Sequence, residues 1–307
     1  MSAAVTVAAP AKINLRLGVG PVRPDGYHPL GTVYLALDLL DTVTAAPADD
    51  WSVTVRTAVP DRVDTAEVPT DARNLAAQAA RLLAVEHGTA QAVHPVALTL
   101  DKAIPVAGGL AGGSADAAAA LVACDRLWGL GSSDIDLLAL AARLGSDVPF
   151  ALLGGAALGE GHGQLVTPLP VAGPLWWAVL PDPTGLSTPA VYRTFDELAG
   201  AGATTPAGTA VPDGLAAALA AGDVAALAPY LVNDLEVPAV HLRPALAERL
   251  AAGHAAGAVA PLLSGSGPTC LYLCTSRAHA DEVVAGLAAA GHPGGLVASG
   301  PTPGALR

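Results

Sequence analysis

At 307 residues the chain exceeds the usual size of one domain and predicts two packed domains sharing a cleft. Ala is the commonest residue in the apolar fraction of 52%, no stretch reaches about 18 uninterrupted apolar residues and the first basic side chain is Lys12, so neither membrane span nor secretory leader is expected and the cytoplasm is. A net charge of −12 with 15 basic residues scattered singly argues against nucleic-acid binding, and three Cys without Cys-x-x-Cys and eight His without paired spacing argue against a disulfide framework and a structural zinc site.

Apolar residues alternate through residues 13–19 (Ile13, Leu15, Leu17, Val19), the mark of a strand, and residues 32–40, 51–56 and 96–100 are also strand-like. Residues 74–87, 114–128 and 133–144 read as helices closed by Gly88, Gly129 and Gly145. The first half is therefore α+β. Residues 144–169 hold Gly145, Gly154, Gly155, Gly159, Gly161 and Gly163 between short apolar pieces, which predicts tight turns leading toward a second domain. A boundary near Pro170 divides residues 1–169 from 170–307. Beyond it come a strand at 176–180 opened by the core residues Trp176 and Trp177, and helices around 215–231 and 242–252. Strands at 258–263 and 271–274, a helix at 278–290 and a strand near Leu296 follow, in a split βαββαβ arrangement with Cys270 and Cys274 on one strand face. Residues 200–214, rich in Gly, Ala, Thr and Pro, are expected to form a mobile surface loop.

One segment carries a chemical signal. Pro105, Val106, Ala107, Gly108, Gly109, Leu110, Ala111, Gly112, Gly113 and Ser114 join a strand ending in Lys102 to a helix beginning at Ser114. Glycines let the backbone approach phosphate oxygens, and the helix dipole adds about half a positive charge at the same place. Ser114 can serve as N-cap or reach the Mg²⁺ that accompanies ATP. Spacing rules out commoner phosphate motifs: Ser114 stands where a P-loop needs Lys, and G-x-G-x-x-G cannot be threaded through these glycines.

Pro105-x-x-x-Gly109-Leu110-x-Gly112-Gly113-Ser114 resembles the second motif of the GHMP kinases (galactokinase, homoserine kinase, mevalonate kinase and phosphomevalonate kinase). Pro10-Ala11-Lys12-Ile13-Asn14-Leu15 is similar to their first motif, and Ser264-Gly265-Ser266-Gly267-Pro268-Thr269 to their third, in the same order along nearly the whole chain. The resemblance implies an N-terminal ribosomal-protein-S5-domain-2-like domain, a C-terminal ferredoxin-like domain, and transfer of the γ-phosphate of ATP, with Mg²⁺, to a small alcohol. Arg23-Pro24-Asp25-Gly26-Tyr27-His28 with Leu37-Asp38-Leu39-Leu40-Asp41, Gly145-Ser146-Asp147-Val148-Pro149-Phe150 and Asn233-Asp234-Leu235 look like the branch whose acceptor is a cytidine diphosphate-linked methylerythritol, phosphorylated on its 2-hydroxyl. Ala111 and Ala115 depart from the Gly and Ser frequent there. Monomer and homodimer both stay open.

On this resemblance Asp147 is the base toward the acceptor hydroxyl. Lys12 beside it would lower the hydroxyl's pKa and offset charge on the γ-phosphate. Asn14, two residues on, shares the strand face of Lys12 and can orient the hydroxyl. Tyr27 and His28 follow a glycine turn and offer a ring and a hydrogen-bonding group for a pyrimidine. Asn74 and Lys102 resemble positions near the adenine and phosphates of ATP, or equally are a helix cap and a surface charge. Ser264, Gly265, Ser266 and Gly267 are expected to form a glycine wall from the second domain, and Asp234 to cap a helix.

Overall fold

The alternation around Ile13 belongs to a strand longer than the sequence suggests. In the computed structural model, which describes residues 4–87, 93–106, 108–182 and 184–306, β1 (Val5–Val19) pairs antiparallel with β2 (Leu30–Pro47). β2 is long enough to hold β1 along one edge and β4 (Val96–Lys102), then β5 (Ala156–Glu160), along the other. β3 (Ser52–Thr57) on β4, β6 (Leu165–Leu169) on β5 and the short β8 (Val232–Asn233) on β1 complete a seven-stranded sheet. Register shifts at Pro10/Ala11 and Asn14/Arg16 interrupt the β1 ladder. Irregularities of this kind re-aim side chains: Ile13 and Leu15 enter the core under the helices, while Leu17 and Val19 enter a second core shared with the later sheet.

Four helices cover the first sheet. α1 (Leu75–Glu86) starts where the Asn74 side chain accepts from the Ala76 and Ala77 amides, and α3 (Asp134–Leu144) starts at a Ser133–Asp136 capping box. α2 (Gly112–Trp128) is buried almost all round, and its alanines let it lie close to β1, β2 and α1. It begins two residues before Ser114, and its N-cap is Ala111 at φ 58°, the one non-glycine with positive φ among the described residues. Ser114 is thus not the cap. Residues 144–169 are more than turns: α4 (Val148–Leu153) and the β5–β6 hairpin lie there, α4 being too short to show a period.

The later sheet runs β11 (Leu296–Gly300), β7 (Leu175–Leu180), β10 (Cys270–Cys274), β9 (Ala260–Leu263), every neighbour antiparallel. With helices between β7 and β9 and α10 (Arg277–Ala289) between β10 and β11, this is the expected ferredoxin-like succession. α5 (Thr188–Gly200) was not read from the sequence. The helix expected over 215–231 is broken at left-handed Gly222 into α6 (Asp213–Ala221) and α7 (Val224–Leu227). The helix expected over 242–252 begins later, as α9 (Ala245–Ala255), and Arg243 and Pro244 separate it from α8 (Glu236–Leu242). Cys124, Cys270 and Cys274 are free and buried.

Two connections tie the sheets together. Residues 207–209 are no free loop but a strap: a Cβ on Gly18 would lie 1.9 Å from the Gly208 carbonyl oxygen, and one on its register partner Gly31 1.7 Å from that of Thr209. Asp234 does not cap α8; its carboxylate accepts from the Val19 amide and the Ala207 amide, both at 2.8 Å, and so holds the strap to β1. After β11 the chain returns to α4, where the Ala305 and Leu306 amides donate to the carbonyls of Ala151 and Leu152 at 3.0 and 3.2 Å. These would otherwise be orphan acceptors of a helix end.

Candidate active site

Between the sheets lies a cavity of about 720 Å³. Its centre is a Lys–Asp pair delivered by β1 and the start of α4. Lys12 Nζ donates to Asn14 Oδ1 at 2.7 Å and stands 3.6 Å from Asp147 Oδ2. Asn14 donates in turn to Thr32 Oγ1 at 2.8 Å, which donates to the Arg16 carbonyl at 2.7 Å, so its amide orientation is fixed. Asp147 occupies the N-cap position of α4, yet its carboxylate makes no capping bond. Instead it accepts at 3.2 Å from the Tyr34 hydroxyl, whose ring stacks on Phe150 at 4.8 Å. Burial, then the Asp147 charge, push the Tyr34 phenol well above its ordinary value, so it remains a neutral donor.

Two glycine turns form one wall. Pro105, Gly108, Gly109, Ala111, Gly112 and Gly113 line it from the first sheet, and Gly265, Ser266 and Gly267 from the second. They touch backbone to backbone: a Cβ on Gly109 would meet the Ser264 carbonyl oxygen at 2.2 Å, and Ser264 Oγ donates to the Gly109 carbonyl at 3.1 Å. Asn233 donates to the Leu263 and Gly265 carbonyls at 2.9 and 2.7 Å, setting the second turn. A Cβ on Gly265 would come within 3.4 Å of Lys12 Nζ, so all three sequence motifs converge here. Ala111 holds a left-handed backbone in which Gly is unstrained, at a cost of about 1 kcal/mol.

Part of the lining is aromatic. Tyr27 is 61% exposed, with its ring 5.4 Å from that of His162. His28 is buried, with Nδ1 2.8 Å from the Gly20 carbonyl oxygen and its ring 5.1 Å from Tyr192. Tyr192 and Thr188 come from α5, and the Thr188 hydroxyl meets Ser266 Oγ at 2.7 Å. His162 Nδ1 lies 2.9 Å from Ser146 Oγ, beside Asp147.

Several expected ATP contacts lie elsewhere. Lys102 does not border the cavity; its ammonium is sealed between Asp41 and Asp116, 3% exposed. Burial alone would lower that ammonium, but the two carboxylates outweigh it and hold it above its usual value. Asn74 is absent from the lining too, because its side chain is spent on capping α1 and on the Pro69 carbonyl. Val106 and Leu110 are not lining residues; Leu110 is fully buried and its carbonyl accepts from the Lys12 amide at 3.1 Å. Ser114 follows the last lining glycine without reaching the cavity, and Ala107 lies outside the described residues. The sequence reading missed Tyr34, His162, Thr188 and Tyr192 as lining residues. For the last two a signal existed, since Ser187-Thr188-Pro189 is a helix start.

Paired glycine turns on two sheets around a Lys–Asp pair make this fold and site those of a GHMP kinase. The family described as GHMP kinases N terminal domain matches residues 74–155, and GHMP kinases C terminal matches residues 215–293. A Nocardioides protein named 4-diphosphocytidyl-2-C-methyl-D-erythritol kinase is 57% identical, with 97% of each chain covered, and one of that name from Streptomyces avermitilis is 50% identical, with 98% of each covered. A crystal structure of 4-(cytidine 5'-diphospho)-2C-methyl-D-erythritol kinase superposes with a TM-score of 0.76 at 32% identity, covering 96% of this chain and 98% of that one. The chain belongs to the GHMP kinases and, within them, to the 4-diphosphocytidyl-2-C-methyl-D-erythritol kinase family. Among the described residues no helix is long and apolar enough to cross a membrane.

Proposed function

We propose that the chain transfers the γ-phosphate of ATP to the 2-hydroxyl of 4-diphosphocytidyl-2-C-methyl-D-erythritol, in the cytoplasm, on the non-mevalonate route to isoprenoid precursors. The observation that carries this is the Lys12–Asp147 pair, 3.6 Å apart, in a cavity lined by both glycine turns and by Tyr27, His28 and Tyr192. Phosphoryl transfer asks for an aligned alcohol, a proton acceptor and compensation of phosphate charge, with little covalent work by the protein. Asp147 takes the proton, Tyr34 keeps its carboxylate aimed, Asn14 orients the alcohol, and Lys12 offsets negative charge as it builds. Amides of residues 108–113 and of the Gly265 turn cradle the triphosphate. Tyr27 and Tyr192 supply faces for the cytosine ring, with the His28 ring 5.1 Å from that of Tyr192.

Among the described residues no cluster of three His, Cys, Asp or Glu could hold a metal. A Mg²⁺ arriving with ATP would find Asp147 as the carboxylate in the cavity lining and would neutralise phosphate charge, whereas Ser114, expected from the sequence to reach the ion, does not line the cavity. The test is phosphoryl transfer from ATP to diphosphocytidyl-methylerythritol, mevalonate and homoserine in parallel. Turnover is expected with the first alone; turnover confined to mevalonate or homoserine, or none with any, refutes the assignment.

A further inference from the structure

Beneath the phosphate-facing turn lies an ion cluster that never touches the cavity. Lys102 Nζ bonds Asp41 and lies 2.6 Å from Asp116 Oδ2 and 3.4 Å from the Gly112 carbonyl oxygen. Asp41, fully buried, also accepts from the amides of Ala103 and Ile104 at 2.6 and 2.9 Å. Both ends of the turn, residues 103–104 at its entry and Gly112 at its exit, are therefore bound to one set of side chains. Asp116 adds a third hold, one helical turn beyond Gly112 on the same face of α2.

We propose that Asp41, Lys102 and Asp116 are positioning residues for ATP, fixing the turn from below so that its amides and the first turn of α2 meet the triphosphate in one geometry. This rests on the reading of residues 108–113 as the triphosphate's seat. Two further observations support it. A Cβ on Gly112 would lie 3.2 Å from Ile104 Cγ2, 3.3 Å from Lys102 Nζ and 3.4 Å from Asp41 Oδ2, whereas one on Gly113 would meet nothing within 4 Å. Gly112 is thus small because the cluster fills the space beneath it, while Gly113 keeps its open side for a ligand. Burial pushes the Asp116 carboxyl well above the ordinary carboxylate range, so the cluster carries no net positive charge to attract phosphate and acts through shape. Lys102 cannot swing to the nucleotide without stranding both carboxylates, the expensive direction for buried ions.

Lys102→Met strands them in the same way and is expected to unfold, so the decisive variant is Asp116→Asn, which keeps shape and leaves a balanced Lys102–Asp41 pair. Equilibrium binding of a non-hydrolysable ATP analogue and steady-state KM values are compared with wild type on the full chain. Loss of one charge-assisted bond at the turn should weaken analogue binding and raise the ATP KM about tenfold, with the KM for the acceptor alcohol and the thermal midpoint near wild type. Equal losses for both substrates, no change in either, or tighter analogue binding would each overturn the proposal, the last by showing Lys102 released to meet phosphate. Wild-type chain that binds the analogue but turns over no acceptor refutes the reaction and leaves this comparison intact; wild type that binds no analogue refutes both.

Discussion

Asp147 is held by Tyr34 at 3.2 Å and faces Lys12 at 3.6 Å, yet its side chain stays 28% exposed, so it is aimed without being sealed. Asp147→Asn keeps the shape and removes the proton acceptor. We expect kcat to fall about 10²-fold or more with the ATP KM near wild type, read by steady-state kinetics, since the base acts only as the transition state forms. Turnover at the wild-type rate would strip Asp147 of its role. Lys12, Asn14 and Asp147 are legible in the sequence because each sits in a short motif with its own spacing. Lys102 is not. Its burial depends on Asp41 and on Asp116, and a charge pair between strands and a helix leaves no periodic trace. Tyr34 is hidden for the same reason: it looks like one more apolar strand residue, and its bond to Asp147 joins positions 113 apart.

Elements with local signals emerge from the sequence within a few residues. α1 and α3 have their Asn74 and Ser133 caps, and the strands of the second sheet fall close to the segments expected for them. Most elements that escape are short or locally ambiguous, as with α4 of six residues, β8 of two and the helix broken at Gly222, but α5 escapes at 13 residues despite its Ser187-Thr188-Pro189 start. The strap over residues 207–209 escapes because its composition is that of a loose loop, while its fixed path comes from two glycines far upstream. Gly31→Ala would drive a methyl group to 1.7 Å from a backbone oxygen, which only a shift of the strap can relieve. Overpacking of this kind costs about 1–3 kcal/mol. A lower midpoint in thermal denaturation is the expected result; an unshifted midpoint would show the strap to be loosely held.

A boundary near Pro170 separates the strands of the two sheets apart from β8, but not the two cores. Leu175, Trp177, Leu215, Leu262 and Leu271 share one apolar cluster with Ile13, Leu35 and the alanines of α2, and β8 and residues 302–306 complete the first sheet and α4 from beyond the boundary. We propose that residues 1–169 and 170–307 are domains by topology and not by independence. Residues 1–169 expressed alone should therefore show no cooperative melting transition by circular dichroism, and a sharp transition would establish autonomy.

The contact of Gly109 with Ser264 has a mechanical consequence. Where a carbonyl of one turn fills the place a side chain of the other would need, the two layers cannot slide past each other without steric collision. The glycine wall of the cleft is a close-packed joint, while the ring of Tyr27 in the same lining stands largely in water.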